Sequence, residues 1–146
     1  MSKGFRLKRL RELREREIEL ESGVLSRYQQ RLEQLTAAVV EVETDMAEQR
    51  RQLLAESREG VSVSDFKLQA TWLRSLLAAR QELARQCHET LRRVEEQRAL
   101  LLEVYRDARL LDRLEAKYRA RQRQAERRAL EKELDDLRAN LAVRSE

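Results

Sequence analysis

The sequence predicts an all-α fold, a long antiparallel two-helix coiled-coil hairpin with a C-terminal helical overhang. Three observations carry the prediction. The 146 residues contain no proline and are 40% charged but only 4% aromatic, a composition that buries narrow stripes and cannot build a globular core. Only one stretch, Arg58-Glu59-Gly60-Val61-Ser62-Val63-Ser64-Asp65-Phe66, sets helix stop and start signals close together. On both sides of it apolar residues recur at four- and three-residue steps, and the two stripes agree in register.

The expected organisation is a single domain over 1–146, with a first helix over about 5–58, a loop over about 59–62 and a second helix over about 63–144. Residues 1–4 are expected to fray. In the first helix the apolar positions are Leu7, Leu10, Leu13, Leu20, Val24, Tyr28, Leu32, Leu35, Val39, Val42, Met46 and Leu53. From Tyr28 to Met46 the steps are those of a heptad seam. The two successive four-residue steps Val24–Tyr28–Leu32 predict a local relaxation of the supercoil. Pairs such as Glu12 and Arg16 have the spacing of a solvated helical face. Gly23, beside Ser22, is expected to be a soft spot.

At the break, Gly60 can take the left-handed conformation that closes a helix without a Cβ clash. Ser62 is the expected N-cap, and Asp65 suits the positive end of the second helix. Val61 and Phe66 have the spacing of a hydrophobic staple. The alternative is a kink in one continuous rod, but stop and start signals together favour a hairpin.

The second helix carries Trp72, Leu73, Leu76, Leu77, Leu83, Cys87, Leu91, Val94, Leu101, Val104, Ala108, Leu111, Tyr118, Ala125, Leu130, Leu134, Leu137 and Leu141. A loop centred near Val61 pairs residues whose numbers add to about 122. Met46 then faces Leu76, Val39 faces Leu83, Leu35 faces Cys87 and Tyr28 faces Val94. Leu20 is matched with Leu101, Leu13 with Ala108, and Leu10 with Leu111. The first helix runs out opposite Tyr118. Residues from about Ala120 onward overhang, yet Leu130, Leu134, Leu137 and Leu141 keep heptad spacing. That stripe has no internal partner and implies another chain or self-association.

Charge is uneven. Lys3, Arg6, Lys8, Arg9, Arg11, Arg14 and Arg16 join Lys117, Arg119, Arg121, Arg123, Arg127 and Arg128 at the open end, while acids gather towards the loop. This favours an acidic socket for the open end. The net charge of +4 is modest, and interleaved acids argue against a nucleic-acid or anionic-membrane binder. No cofactor or metal is expected. His88 is the single histidine and diverges from Cys87 by about 100° around the helix. Cys87 reads as a small seam residue and His88 as an exposed one. There is no Gly-rich phosphate loop and no catalytic constellation, so an enzyme is not expected. The lone cysteine gives no support for an oxidising compartment. No signal peptide or membrane span is expected, which implies a cytoplasmic protein.

Trp72, Leu73, Leu76, Leu77, Ala79 and Leu83 cover an arc of roughly 160°, wider than a two-stranded seam needs. Trp72 is therefore either an exposed interface anchor or a cover over the loop, packed on Leu53 or Leu54.

The opening Phe5-Arg6-Leu7-Lys8-Arg9-Leu10-Arg11-Glu12-Leu13-Arg14-Glu15-Arg16-Glu17, the middle Gly60-Val61-Ser62-Val63-Ser64-Asp65-Phe66 with Trp72-Leu73 and Leu76, and the charged end around Leu114-Glu115 and Glu131-Lys132-Glu133-Leu134-Asp135-Asp136 resemble the FliJ family of flagellar type III export proteins. The resemblance spans nearly the whole chain. Injectisome stalk proteins are structurally alike. It implies an antiparallel helical hairpin similar to the shaft of rotary ATPases, with its termini in the central hole of the hexameric export ATPase. It also implies contact with the cytoplasmic domain of the export-gate membrane protein, a link to export chaperones, and a cytoplasmic location peripheral to the inner face of the cell membrane. The family's gate-docking stripe maps onto Trp72, Leu76, Ala79 and Leu83. Under this reading Leu10, Leu13, Arg14, Arg127, Leu130, Leu134 and Leu137 enter the ATPase ring. The competing reading is a generic dimeric scaffold with two chains paired in parallel.

Overall fold

The computed structural model of the chain describes residues 3–145, the side chains of Lys3 and Phe5 excepted. Two α-helices account for the ordered backbone, α1 (Lys3–Glu59) and α2 (Val63–Arg144), with no strand among the described residues. They pack against each other as an all-α two-helix hairpin. The fraying expected over residues 1–4 falls in part on Met1 and Ser2, which lie outside the described residues. Gly4 is already helical.

The turn is built by local chemistry. Gly60 takes φ 83°, a left-handed conformation that costs any residue with a Cβ roughly 1–2 kcal/mol. The Asp65 N–H donates to Ser62 Oγ at 3.3 Å, so the hydroxyl caps α2. The Phe66 N–H donates to the Ser62 carbonyl at 3.1 Å and closes the first turn. Val61 is half-buried, and Phe66, at the staple spacing, keeps 46% of its surface exposed. Gly23 lies within the continuous α1.

The chain divides into two compact units. One comprises Glu21–Leu100 and holds the turn. Its α1 seam is Leu25, Tyr28, Leu32, Leu35, Val39, Val42, Met46, Gln49 and Leu53, all shielded from solvent at least in part. Its α2 seam is Gln69, Leu73, Leu76, Arg80, Leu83, Cys87, Thr90, Val94 and Gln97. Each helix keeps alternating three- and four-residue steps without a slip. Leu35, Met46, Leu76 and Val94 are the buried apolar centre of this unit. Gln97 is buried too. Its Nε2 donates to the Glu21 carbonyl at 3.1 Å and to the Glu21 carboxylate, so the polar layer is satisfied. Gln69 likewise donates to the Glu56 carboxylate.

The other unit comprises Met1–Leu20 and Leu101–Glu146. Here the expected seam is corrected. Leu10, Leu13 and Leu20 are exposed, Leu20 to 70%, so the pairings of Leu20 with Leu101, Leu13 with Ala108 and Leu10 with Leu111 do not form a core. The α1 seam of this unit is Gly4, Leu7, Arg11, Arg14 and Ile18; on α2 it is Leu101, Val104, Ala108, Leu111, Glu115 and Tyr118. Strict three-four spacing wins over side-chain polarity. Charged residues occupy seam positions, and leucines one or two places away stay outside. In the first unit, Leu25 continues the three-four spacing to Tyr28, with Val24 half-buried beside it.

Two substitutions check this assignment by urea denaturation. Ile18→Ala lowers stability by about 1–2 kcal/mol, as loss of a half-buried seam side chain, whereas Leu20→Ala changes it by less than about 0.5 kcal/mol. A Cβ added at Gly23 meets nothing within 4 Å. Gly23→Ala therefore raises the stability of the helix by about 0.5–1 kcal/mol, read as a higher denaturation midpoint at unchanged slope.

Candidate functional site

Two regions carry the residues singled out in the sequence, one in each unit. In the unit that contains both chain ends, the described α1 starts opposite Tyr118. An added Cβ at Gly4 would lie 2.9 Å from Tyr118 Cε1, so the tyrosine ring rests on a helix turn that has no side chain to displace it. The Tyr118 hydroxyl accepts from Gln122 Nε2 at 2.9 Å. Beyond it, every described side chain from Arg119 to Ser145 is exposed.

That bare helix has one apolar face. Arg127, Leu130, Leu134, Leu137 and Leu141 follow one another at three- and four-residue steps and share one stripe. The hairpin seam, continued past Tyr118, would run through Gln122, Ala125, Ala129 and Lys132 instead. At about 100° per residue the leucine stripe is turned away from that line by roughly 100–150°. A continuation of the hairpin seam would therefore leave the stripe exposed. Leu10 and Leu13 are exposed on α1 in the same unit. Arg14 is half-buried, donates to Glu17 Oε2 at 2.7 Å and lies 3.9 Å from Asp107. Its guanidinium pKa is raised, chiefly by the hydrogen bond to Glu17.

Sequence reasoning missed the charge cluster next to Arg14. Glu115 is only 8% exposed. It accepts from Arg11 Nη1 at 3.0 Å and from Arg119 Nη2 at 2.7 Å. Arg11 Nε also lies 3.4 Å from both Asp112 and Glu15. The hydrogen bond to Glu115 is the main cause of the raised Arg11 pKa. The available signal was positional, because Arg11 and Glu115 fall on the three-four seams of their helices.

In the unit that holds the turn, the stripe Trp72, Leu76, Ala79 and Leu83 is not uniformly accessible. Trp72 is 51% exposed and Leu76 only 8%, while Ala79 is exposed and Leu83 half-buried. The seam takes Leu76 and Leu83, leaving Trp72 and Ala79 on the outer edge. Trp72 lines an open groove of about 570 Å³ with Gln49, Gln52, Leu68, Gln69, Thr71 and Ser75. Leu54 is exposed and Leu53 half-buried, and Trp72 keeps about half of its surface in solvent. None of these lining side chains is charged, in a chain that is 40% charged. Cys87 is half-buried in the seam and His88 exposed. No cluster of potential metal ligands occurs among the described residues, nor does a helix long and apolar enough to cross a membrane.

The chain is an all-α two-helix hairpin that carries an exposed leucine stripe in one unit and a tryptophan edge in the other. The family model described as "Flagellar FliJ protein" matches residues 2–146, and the chain belongs to that family. Comparison with curated proteins returns no match, and comparison with solved structures returns none either.

On the exposed surface of α2, the Arg85 guanidinium hydrogen-bonds Glu82 and holds its carboxyl down at about 2. The folded value lies below the unfolded one, so this pair's contribution is present above the ordinary carboxylate range and disappears as the pH falls towards about 2. A carbon-detected NMR titration reads the Glu82 midpoint, and Arg85→Ala returns it towards the ordinary carboxylate value.

Proposed function

We propose that the chain is a non-enzymatic central stalk of the flagellar type III export apparatus, binding the hexameric export ATPase with one unit and the export gate with the other. Membership of the FliJ family supports the export role, and the flagellar character of that family favours a flagellar system over an injectisome. The observation that carries the stalk reading is the uncovered helix 119–145 with its single leucine stripe.

In this reading Arg127, Leu130, Leu134 and Leu137 present one face to the ATPase ring, with Leu10, Leu13 and Arg14 on the neighbouring helix. A stalk without internal symmetry contacts identical ring subunits unequally. It therefore biases their conformations by differential binding, without chemistry of its own. Trp72 and Ala79 make the direct contact with the cytoplasmic domain of the gate, and Leu76 and Leu83 support them from the seam. Export chaperones are further partners. The protein works in the cytoplasm, held at the inner face of the membrane through these partners, and needs no cofactor.

The purified chain, added to the export ATPase, should raise ATP hydrolysis and ring assembly. Leu134→Lys should weaken that effect about tenfold or more, since it places a charge on the contact stripe. Trp72→Ala should spare ring stimulation and weaken binding to the gate domain about tenfold. An ATPase whose hydrolysis and assembly do not respond to the unaltered chain contradicts the stalk role and leaves a dimeric scaffold as the better account.

A further inference from the structure

The first helical turns of α1 are attached to α2 differently from the rest of the seam. Between Gly4 and Ile18 the seam positions of α1 are Gly4, Leu7, Arg11, Arg14 and Ile18. Two of the five are arginines and one has no side chain. Opposite them, the buried position nearest the open end is a carboxylate, Glu115. From Leu25 to Leu53 in the other unit, by contrast, Gln49 is the only seam residue of α1 that carries neither an apolar nor an aromatic side chain.

Three ion pairs join the helices at this end, around a thin apolar seam that includes Ile18 and the buried Val104: Arg11 with Glu115 at 3.0 Å, Arg11 with Asp112 at 3.4 Å and Arg14 with Asp107 at 3.9 Å. The arginine side chains are 45% and 38% exposed, and Lys8, Glu12, Glu15 and Arg119 border the Arg11–Glu115 pair in a shallow groove. Ion pairs this wet are weakened as salt screens them. Each arginine also has an alternative partner on α1 itself, Glu15 at 3.4 Å for Arg11 and Glu17 at 2.7 Å for Arg14. Arg119 remains on Glu115 at 2.7 Å when Arg11 leaves. Separation of the two helices here strands no charge.

We infer that residues 3–20 of α1 form a releasable strap, held on α2 by a thin apolar seam and by exchangeable ion pairs, which opens as a local unit as ionic strength rises. Release uncovers Val104, Leu111 and Tyr118 on α2 and lengthens its unpaired portion. The inference is independent of the ATPase and gate contacts proposed above, because it concerns the isolated chain.

Hydrogen exchange of the full-length protein, followed by mass spectrometry, tests it. On raising NaCl from about 0.05 M to about 0.5 M, backbone amides 5–19 exchange about tenfold faster, while amides 25–53 change less than about twofold. Replacing the ionic layer by an apolar one, Arg11→Leu with Glu115→Leu, slows exchange of 5–19 and shrinks the salt effect to about threefold or less. Equal protection of both segments at both salt concentrations overturns the inference, as does a salt effect that persists undiminished in the double variant. Circular dichroism of that variant, with amides 25–53 as internal reference, separates a released strap from a misfolded chain. Ring stimulation is not read in any arm, so failure here leaves the stalk proposal untouched.

Discussion

Burial of one narrow seam is the interaction on which everything else in this protein depends. A chain with so many charges and so few aromatics has no second layer to fall back on. Each side chain in the seam is shielded on one side only by the facing helix, so even the central residues rely on regular spacing. Spacing therefore takes priority over residue type. Glu21 and Gln97 sit in the seam because the heptad puts them there, and they hydrogen-bond each other because a buried polar group must find a partner.

The same rule sorts the surface. Once the three-four positions are assigned, leucines that miss them are left outside by geometry. Leu10, Leu13, Trp72, Leu130, Leu134 and Leu137 are all exposed on this account. Their exposure is not a packing failure in a core that lacked room. It is a second pattern laid over the first, and it is the pattern on which the proposed docking contacts rest.

Much of the fold was legible in the sequence. Gly60 and Ser62 announced the turn through a positive-φ glycine and a hydroxyl cap, and the register constant derived from it places Gly4 against Tyr118 as observed. What misled was the habit of following apolar residues alone. Where the seam passes through Arg11, Arg14 and Glu21, the nearest leucines are neighbours of the true positions, and polarity pointed to them. Extending the unbroken heptad from Tyr28 back towards Gly4 would have found Leu25, Ile18 and Leu7. For the candidate sites, the pattern revealed the stripe from Arg127 to Leu137, which is local to one helix. It could not separate Trp72 and Ala79 from Leu76 and Leu83, because the division depends on which edge α1 covers.

The turn also dictates the order in which the protein can assemble. Across the helices, the hydrogen bond from Gln69 to Glu56 spans 13 residues of sequence, that from Gln97 to Glu21 spans 76, and that from Arg11 to Glu115 spans 104. Loop-closure entropy rises with span, so contacts beside Gly60 are the least costly to nucleate and the later ones follow as a zipper. A nascent chain leaving the ribosome must carry its first helix without a mate until most of the second has been synthesised. The abundant charge on that helix keeps it soluble during the wait.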